Sequence, residues 1–170
     1  KKLKKKFKNI DLIYSANTIT HISNLNDVFK SISYILSDNG IIIIEDPSLL
    51  ECLKKVSYDQ FYNEHIYVFS AISLKNILKK YSLEIFDIKN LSTHGGSLRY
   101  YIKRKNNKKL IISSSVKKQL FKEKKYGLNN YRTYKNFSNS AEKSKESLNK
   151  ILTNIKNDNK KIIGYGATAK

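Results

Sequence analysis

Apolar runs and the polar stretches that break them divide the chain into two parts. In the first, IDLIYSA at 10–16 reads as a buried strand, and Asn17 to His21 follow as a polar loop. Leu25, Val28, Phe29, Ile32 and Ile35 recur at helical spacing, which predicts a helix over 24–36. SDNG at 37–40 is a stop signal, with Gly40 free to take a positive φ. GIIIIEDP is the strongest strand pattern in the chain. Its isoleucines do not alternate with polar residues, which predicts a strand covered on both faces. Asp46–Pro47 ends it.

Residues 48–56 read as helical. After FYNEHIYVFS at 61–70, Leu74, Ile77 and Leu78 mark a second helix over 73–81, with Ser73 as its N-cap. LEIFDIKNL, 83–91, alternates as a strand, and LRYYIKRK, 98–105, is another. The short THGGS connection makes these two an antiparallel hairpin. The earlier strand–helix–strand unit implies a parallel pair with a right-handed crossover. The fold class is therefore α/β, a parallel sheet closed by an antiparallel hairpin, over 1–105.

The second part has a different texture. Residues 106–160 are rich in Lys, Asn and Ser, with Leu148, Ile151, Leu152 and Ile155 at helical spacing. They read as one or two solvated helices forming a linker. KIIGYGATAK at 161–170 then reads as a short strand and a glycine turn, the opening of a second, Rossmann-like unit.

Composition narrows the function. The 170 residues suffice for one domain with a sizeable core, and 40% hydrophobic content excludes a disordered polymer. The absence of Met makes the chain read as an internal piece of a longer protein. The formal charge of +19 invites a nucleic-acid reading, but Arg occurs only at 99, 104 and 132. Arg is the residue suited to bidentate phosphate and base contacts, so the Lys excess reads as solvated surface in an AT-rich coding sequence. Cys52 stands alone, so there is no internal disulfide, and no Cys/His cluster has metal spacing. The longest purely apolar run falls far short of the ~20 residues of a membrane span. The expectation is a cytoplasmic protein with no nucleic-acid or membrane partner, of open oligomeric state.

Three histidines, His21, His65 and His94, fall at strand ends or in connections, where open α/β sheets bind ligands. In an extended strand Tyr62 and Glu64 would share one face and His65 the other. They serve one site only if the backbone turns there. In that case His65 suits general-base work, Tyr62 can stabilise a developing oxyanion, Glu64 can orient a partner, and Phe61, Tyr67 and Phe69 can exclude water. Otherwise they pack a sheet edge. In His94-Gly95-Gly96-Ser97-Leu98-Arg99 the glycines expose backbone N–H groups, and Arg99 offers a fork for phosphate or carboxylate. The plainer reading is a glycine-containing hairpin turn.

ANTITHISNLNDV (16–28), YDQFYNEHIYVFS (58–70), HGGSLRYYI (94–102) and GYGATAK (164–170), in that order and spacing, resemble the sugar C-methyltransferases. These are S-adenosylmethionine-dependent enzymes that methylate a carbon of a nucleotide-linked keto-deoxysugar. The resemblance implies the second half of a class I methyltransferase (Rossmann-like) sheet, then the linker and the first strand of a C-terminal domain. The family's N-terminal structural zinc domain and its glycine-rich cofactor loop would lie outside these residues, so the fragment alone is expected to be inactive. His65 matches the general base that takes the proton alpha to the sugar ketone. Tyr62, Glu64 and His21 match active-site positions beside it. Ala16 and Asn17 match positions near the cofactor, and His94, Gly96, Ser97 and Arg99 the loop near substrate. The alternatives are a related class I methyltransferase with an O or N acceptor, and a non-enzymatic basic module that binds nucleic acid or anionic surfaces.

Overall fold

The isoleucine run of 41–44 sits inside a four-stranded sheet of order β1-β2-β4-β3. The computed structural model describes residues 9–166, in two compact units that divide after Leu128. The first unit contains strand β1 (Ile10–Ala16), helix α1 (Leu25–Ile35), strand β2 (Leu36–Pro47) and helix α2 (Leu49–Lys55). Helix α3 (Ala71–Lys79), strands β3 (Leu83–Leu91) and β4 (Ser97–Arg104) and helix α4 (Ser114–Tyr126) complete it. β1 and β2 are parallel, as a strand–helix–strand unit requires. β3 and β4 form the antiparallel hairpin, and β4 folds back to lie between β3 and β2, antiparallel to both. The edge strands are therefore β1 and β3.

The core lies on one face of the sheet. Ile42, Ile44, Tyr100 and Ile102 point into it, against Phe29 of α1 and Leu74 and Leu78 of α3. The expectation of two fully covered faces is corrected here. Ile42 and Ile44 are fully buried, whereas Ile41 and Ile43 are only half-buried, and Leu12 and Tyr14 are exposed on the same open face. Helices among the described residues close one face; the apolar run reflects the other face without a full cover of its own.

Two local expectations also change. SDNG does not break the chain before β2, because the strand begins at Leu36, directly after α1. Between the pairs Ile10↔Leu36 and Leu12↔Ile41, β1 advances two residues while β2 advances five, so the extra residues bulge from the ladder. The carbonyls left free at the end of α1 are gathered by Arg104, which donates to Ser33 and Leu36 at 2.6 Å each and to Ser37 at 3.3 Å. Gly40 is not among the residues with positive φ. It is small because a Cβ there would stand 2.9 Å from the Ile10 carbonyl oxygen.

The N-cap of α3 is Ser70, three residues before the expected Ser73. Ser73 is instead the partner in a capping box, where each serine hydroxyl accepts from the other's amide at 3.0 Å. The next two amides, of Ala71 and Ile72, donate to the two carboxylate oxygens of Glu123 on α4, at 2.8 and 2.9 Å. Glu123 is fully buried and also accepts from Gln119. An acidic residue from the start of the expected linker thus caps a helix of the sheet domain.

The second unit contains helix α5 (Tyr131–Asn157), which has no buried residue. Leu148 and Ile151 are exposed along it. Residues 161–166 carry no regular secondary structure, so the strand expected there is not found among the described residues. The rest of the expected glycine turn, 167–170, lies outside them.

Replacing Glu123 with Ala leaves one buried and one part-buried amide of α3 without an acceptor. The expected cost is on the order of 2–4 kcal/mol, with a smaller loss for Glu123→Gln. Urea denaturation of the two variants beside the parent protein measures both.

Candidate active site

The carboxyl ends of β1 and β2 and the amino end of β4 meet at one edge of the sheet. The Asn17 amide donates to the Glu45 carbonyl at 2.8 Å, and the Ser48 amide to the Gly96 carbonyl at 3.0 Å. A short helical turn, Ile19–His21, follows β1; Ile19 and Thr20 are buried beneath it and His21 is half-buried. A second turn, Tyr58–Gln60, leads into FYNEHIYVFS.

That segment is neither a strand nor a helix. Its backbone turns at Tyr62, where the His65 amide donates to the Tyr62 carbonyl at 2.9 Å. The turn brings the Tyr62 and His65 rings together, tilted at 38° with centroids 4.2 Å apart. His65 Nδ1 lies 2.8 Å from the Gln60 carbonyl, and Nε2 lies 3.0 Å from the Tyr62 hydroxyl. A carbonyl only accepts, so Nδ1 carries the proton of the neutral ring. Nε2 then holds the lone pair and accepts from the Tyr62 hydroxyl. One His65 nitrogen is thus the donor to the main chain, and the other carries the lone pair. The His21 ring stands beside it, 5.0 Å between centroids.

The remaining sequence-predicted residues divide. Glu64 is exposed in the turn and makes no hydrogen bond or ion pair among the described residues, so it is not brought against His65. Asn17 and His94 meet, with Nδ2 of Asn17 3.3 Å from Nε2 of His94, although they belong to different connections. Both sit in the left-handed region, at φ 48° and 50°, an unusual backbone state for a side chain of histidine's size. Ala16 is half-buried at the end of β1. Gly96 has φ 130°, and a Cβ there would press on Glu51 of α2 at 2.9 Å. The buried Ser97 hydroxyl donates to the Thr93 carbonyl at 3.0 Å and closes the turn. Arg99 lies on the open face of the sheet, opposite to Leu98 and Tyr100. It grips Glu45 through Nε at 2.9 Å and Nη2 at 2.8 Å. Its hydrogen bond to Tyr101, then the one to Glu45, raises its already high pKa.

Two buried carboxyl-end residues went unnoticed in the sequence. Asp46 and Thr20 are each 1% exposed, and neither carboxylate oxygen of Asp46 nor the Thr20 hydroxyl has a hydrogen-bond partner. Burial, and then the neighbouring Glu45 charge, push the Asp46 carboxyl up to about 7; nearby Thr20 counters weakly without a formed hydrogen bond. An acidic residue at the end of four isoleucines was the available signal. Burial also pushes the lone Cys52 thiol up to about 11, followed by the Asp59 charge, which makes it a poor nucleophile. Among the described residues no cluster of metal-binding side chains occurs, and no helix is long and apolar enough to cross a membrane.

The first unit is thus an α/β domain of mixed parallel and antiparallel sheet, with His65, Tyr62 and His21 gathered near the carboxyl ends of β1 and β2. Residues 2–88 match a family profile described as a methyltransferase domain, and residues 92–170 match one described as a C-methyltransferase C-terminal domain. The chain belongs to the methyltransferase-domain family. It is similar to the C-methyltransferase NovU of Streptomyces niveus, 27% identical over 94% of this chain and 38% of that protein. The chain thus spans about 38% of the length of this curated relative. Among solved structures it is similar to magnesium protoporphyrin IX methyltransferase from Synechocystis PCC 6803. That match is 16% identical with a TM-score of 0.43, over 56% of this chain and 45% of that one. An S-adenosylmethionine-dependent methyltransferase from Clostridium acetobutylicum is also 16% identical with a TM-score of 0.43, over 56% and 58%.

Two outcomes are expected at the site. Between the ordinary carboxyl value of 3.8 and about 7 the folded protein keeps a proton on Asp46 that the unfolded chain has released. Stability therefore falls as pH rises through that window, by on the order of 4 kcal/mol at full effect. Denaturation midpoints between about pH 5 and pH 8 should fall for the parent and change much less for Asp46→Asn. Nitrogen-15 spectra of the imidazoles should show His65 protonated at Nδ1; a ring protonated at Nε2 would contradict the assigned tautomer.

Proposed function

We propose that the protein containing this chain is an S-adenosylmethionine-dependent C-methyltransferase acting on a nucleotide-linked keto-deoxysugar. The observation that carries the proposal is the His65 tautomer. A carbon beside a ketone becomes a nucleophile only after losing a proton, and that step needs a base with a directed lone pair. His65 Nε2 is such an atom, with Nδ1–H anchored on the Gln60 carbonyl and so ready to stabilise the imidazolium.

When substrate enters, the C–H bond alpha to the carbonyl breaks and its proton moves to Nε2. The bonding pair forms a carbon–carbon double bond, and the carbonyl pair moves to oxygen. The Tyr62 hydroxyl, released from Nε2, donates to that oxygen. His21 forms the wall beside His65. Ala16 and Asn17 fit one edge of a cofactor cradle, a methyl group and a carboxamide at the half-buried carboxyl end of β1. Bound there, S-adenosylmethionine would supply the electrophilic methyl group. The family profile over 92–170 and the relative named a C-methyltransferase support carbon rather than oxygen or nitrogen as acceptor.

The test uses the intact protein that contains these residues. Given methyl-labelled cofactor and a panel of nucleotide-linked keto-deoxysugars, label should appear on carbon. In heavy water without cofactor, the alpha proton should exchange, and His65→Ala should slow both reactions by about 100-fold or more. Transfer to oxygen or nitrogen without alpha exchange would replace this reading.

A further inference from the structure

Thr20 belongs to the turn that carries His21, and Asp46 lies near it at the end of β2; both side chains are buried and unpartnered. We propose that Asp46, acting through Thr20, is a positioning residue that sets His21 against His65; its catalytic consequence rests on the function proposed above. A carboxyl group 1% exposed and a hydroxyl 1% exposed, neither holding a hydrogen bond, are costly to bury, and Thr20 is the side chain close enough to Asp46 to act on its proton affinity. A carboxylate and a hydroxyl can share only the hydroxyl proton. A carboxylic acid can also donate to the hydroxyl oxygen.

Thr20 is the joint through which this contact reaches the site. Its backbone carbonyl accepts from the Tyr67 amide at 3.2 Å, two residues past His65. Its neighbour in sequence is His21, whose ring stands 5.0 Å from that of His65. The Tyr67 hydroxyl donates to the Ser23 carbonyl at 2.7 Å, tying the same two segments a second time. The His21 turn and the His65 segment therefore form one sub-assembly. Main-chain bonds from Asn17 to Glu45 and from Leu49 to Phe69 tie it to the sheet, and Asp46 adds a side chain there from the sheet interior, where β2 pairs with β4 at Asp46↔Leu98. The titratable groups around Asp46 are Glu45 on its own strand and Tyr100 on β4. Burial holds Tyr100 neutral by raising its pKa far above the ordinary value, and Glu123 and then Asp46 add to that effect.

The experiment compares Asp46→Asn, which keeps a donor toward Thr20, with Asp46→Leu and Thr20→Val, which remove the polar contact at similar volume. The first readout is NMR of the chain at one fixed pH, following the His21 and His65 imidazole signals and the cross-peak between the two rings. Backbone signals of Ile42 and Ile102 report whether the sheet is intact. Asp46→Leu and Thr20→Val should shift the His21 signals and weaken the cross-peak with the sheet unchanged, whereas Asp46→Asn should resemble the parent. Unchanged His21 signals in both Asp46→Leu and Thr20→Val overturn the proposal. If Asp46→Leu does not fold, Thr20→Val alone decides. The second readout is turnover in the intact protein, where Thr20→Val should lower kcat about 10- to 100-fold with KM little changed. Displaced His21 signals with undiminished kcat would uphold the positioning and overturn His21's place in the reaction.

Discussion

The parallel pairing of β1 with β2, ended by the 2.8 Å bond from the Asn17 amide to the Glu45 carbonyl, is the constraint on which the site depends. It places Ala16 opposite Glu45 and stops the ladder there. Everything of chemical interest hangs from that point. The His21 turn leaves β1 just beyond it. Asp46 follows Glu45 into the core near Thr20, and Ser48 takes the Gly96 carbonyl to hold the hairpin turn. Because side chains alternate along a strand, a slip of one residue would exchange Glu45 and Asp46 between faces. Arg99 would then lose its partner, and the space near Thr20 would receive a side chain with one more methylene. The bulge near Gly40 absorbs the irregular start of β2, so that the last turns of the ladder remain in register.

Much of this was legible in the chain. Four strands and the helices between them follow from apolar spacing, because burial against a sheet face leaves that spacing in the sequence. The limits of legibility are equally physical. Ser70 and Ser73 both satisfy the compositional rule for an N-cap. Which one caps α3 depends on Glu123 arriving from α4 to take the next two amides, a contact between residues far apart in sequence. The open face of the sheet was hidden by the isoleucines, since Ile41 and Ile43 look the same as Ile42 and Ile44 until their neighbours are known.

The site was legible as a set of residue types and less so as a geometry. His65, Tyr62 and His21 do converge, because the backbone turns at 62–65, and YNEH alone did not require that turn. The Gln60 carbonyl decides which His65 nitrogen carries the proton, yet a main-chain oxygen leaves no mark in a sequence. For Ser97 and Gly96 the residues alone favour a hairpin turn, and only the resemblance puts them near substrate. In the fold, the hydroxyl closes its own turn, and the missing Cβ makes room for Glu51. The meeting of Asn17 with His94 joins a residue matched to the cofactor side with one matched to the substrate side. Spacing could not have shown that contact, because it runs across two connections.

Asp46 and Glu45 make the comparison that bears most on mechanism. They are adjacent carboxyls at the end of one strand, and alternation sends them to opposite faces. Glu45 is ion-paired with Arg99 at 2.8 Å, and Tyr14 reaches it as well. Asp46 faces the core, where burial and the Glu45 charge favour its neutral form. Glu45 is paired with Arg99 on the far face from the core, and its charge adds to the burial that keeps a proton on Asp46. A neutral acid near Thr20 can donate a hydrogen bond that a carboxylate cannot, and the Thr20 hydroxyl has no other partner among the described residues. On this view the pair of acids at the end of the isoleucine strand divides one task. Glu45 anchors the hairpin through Arg99, and Asp46 anchors the histidine turn.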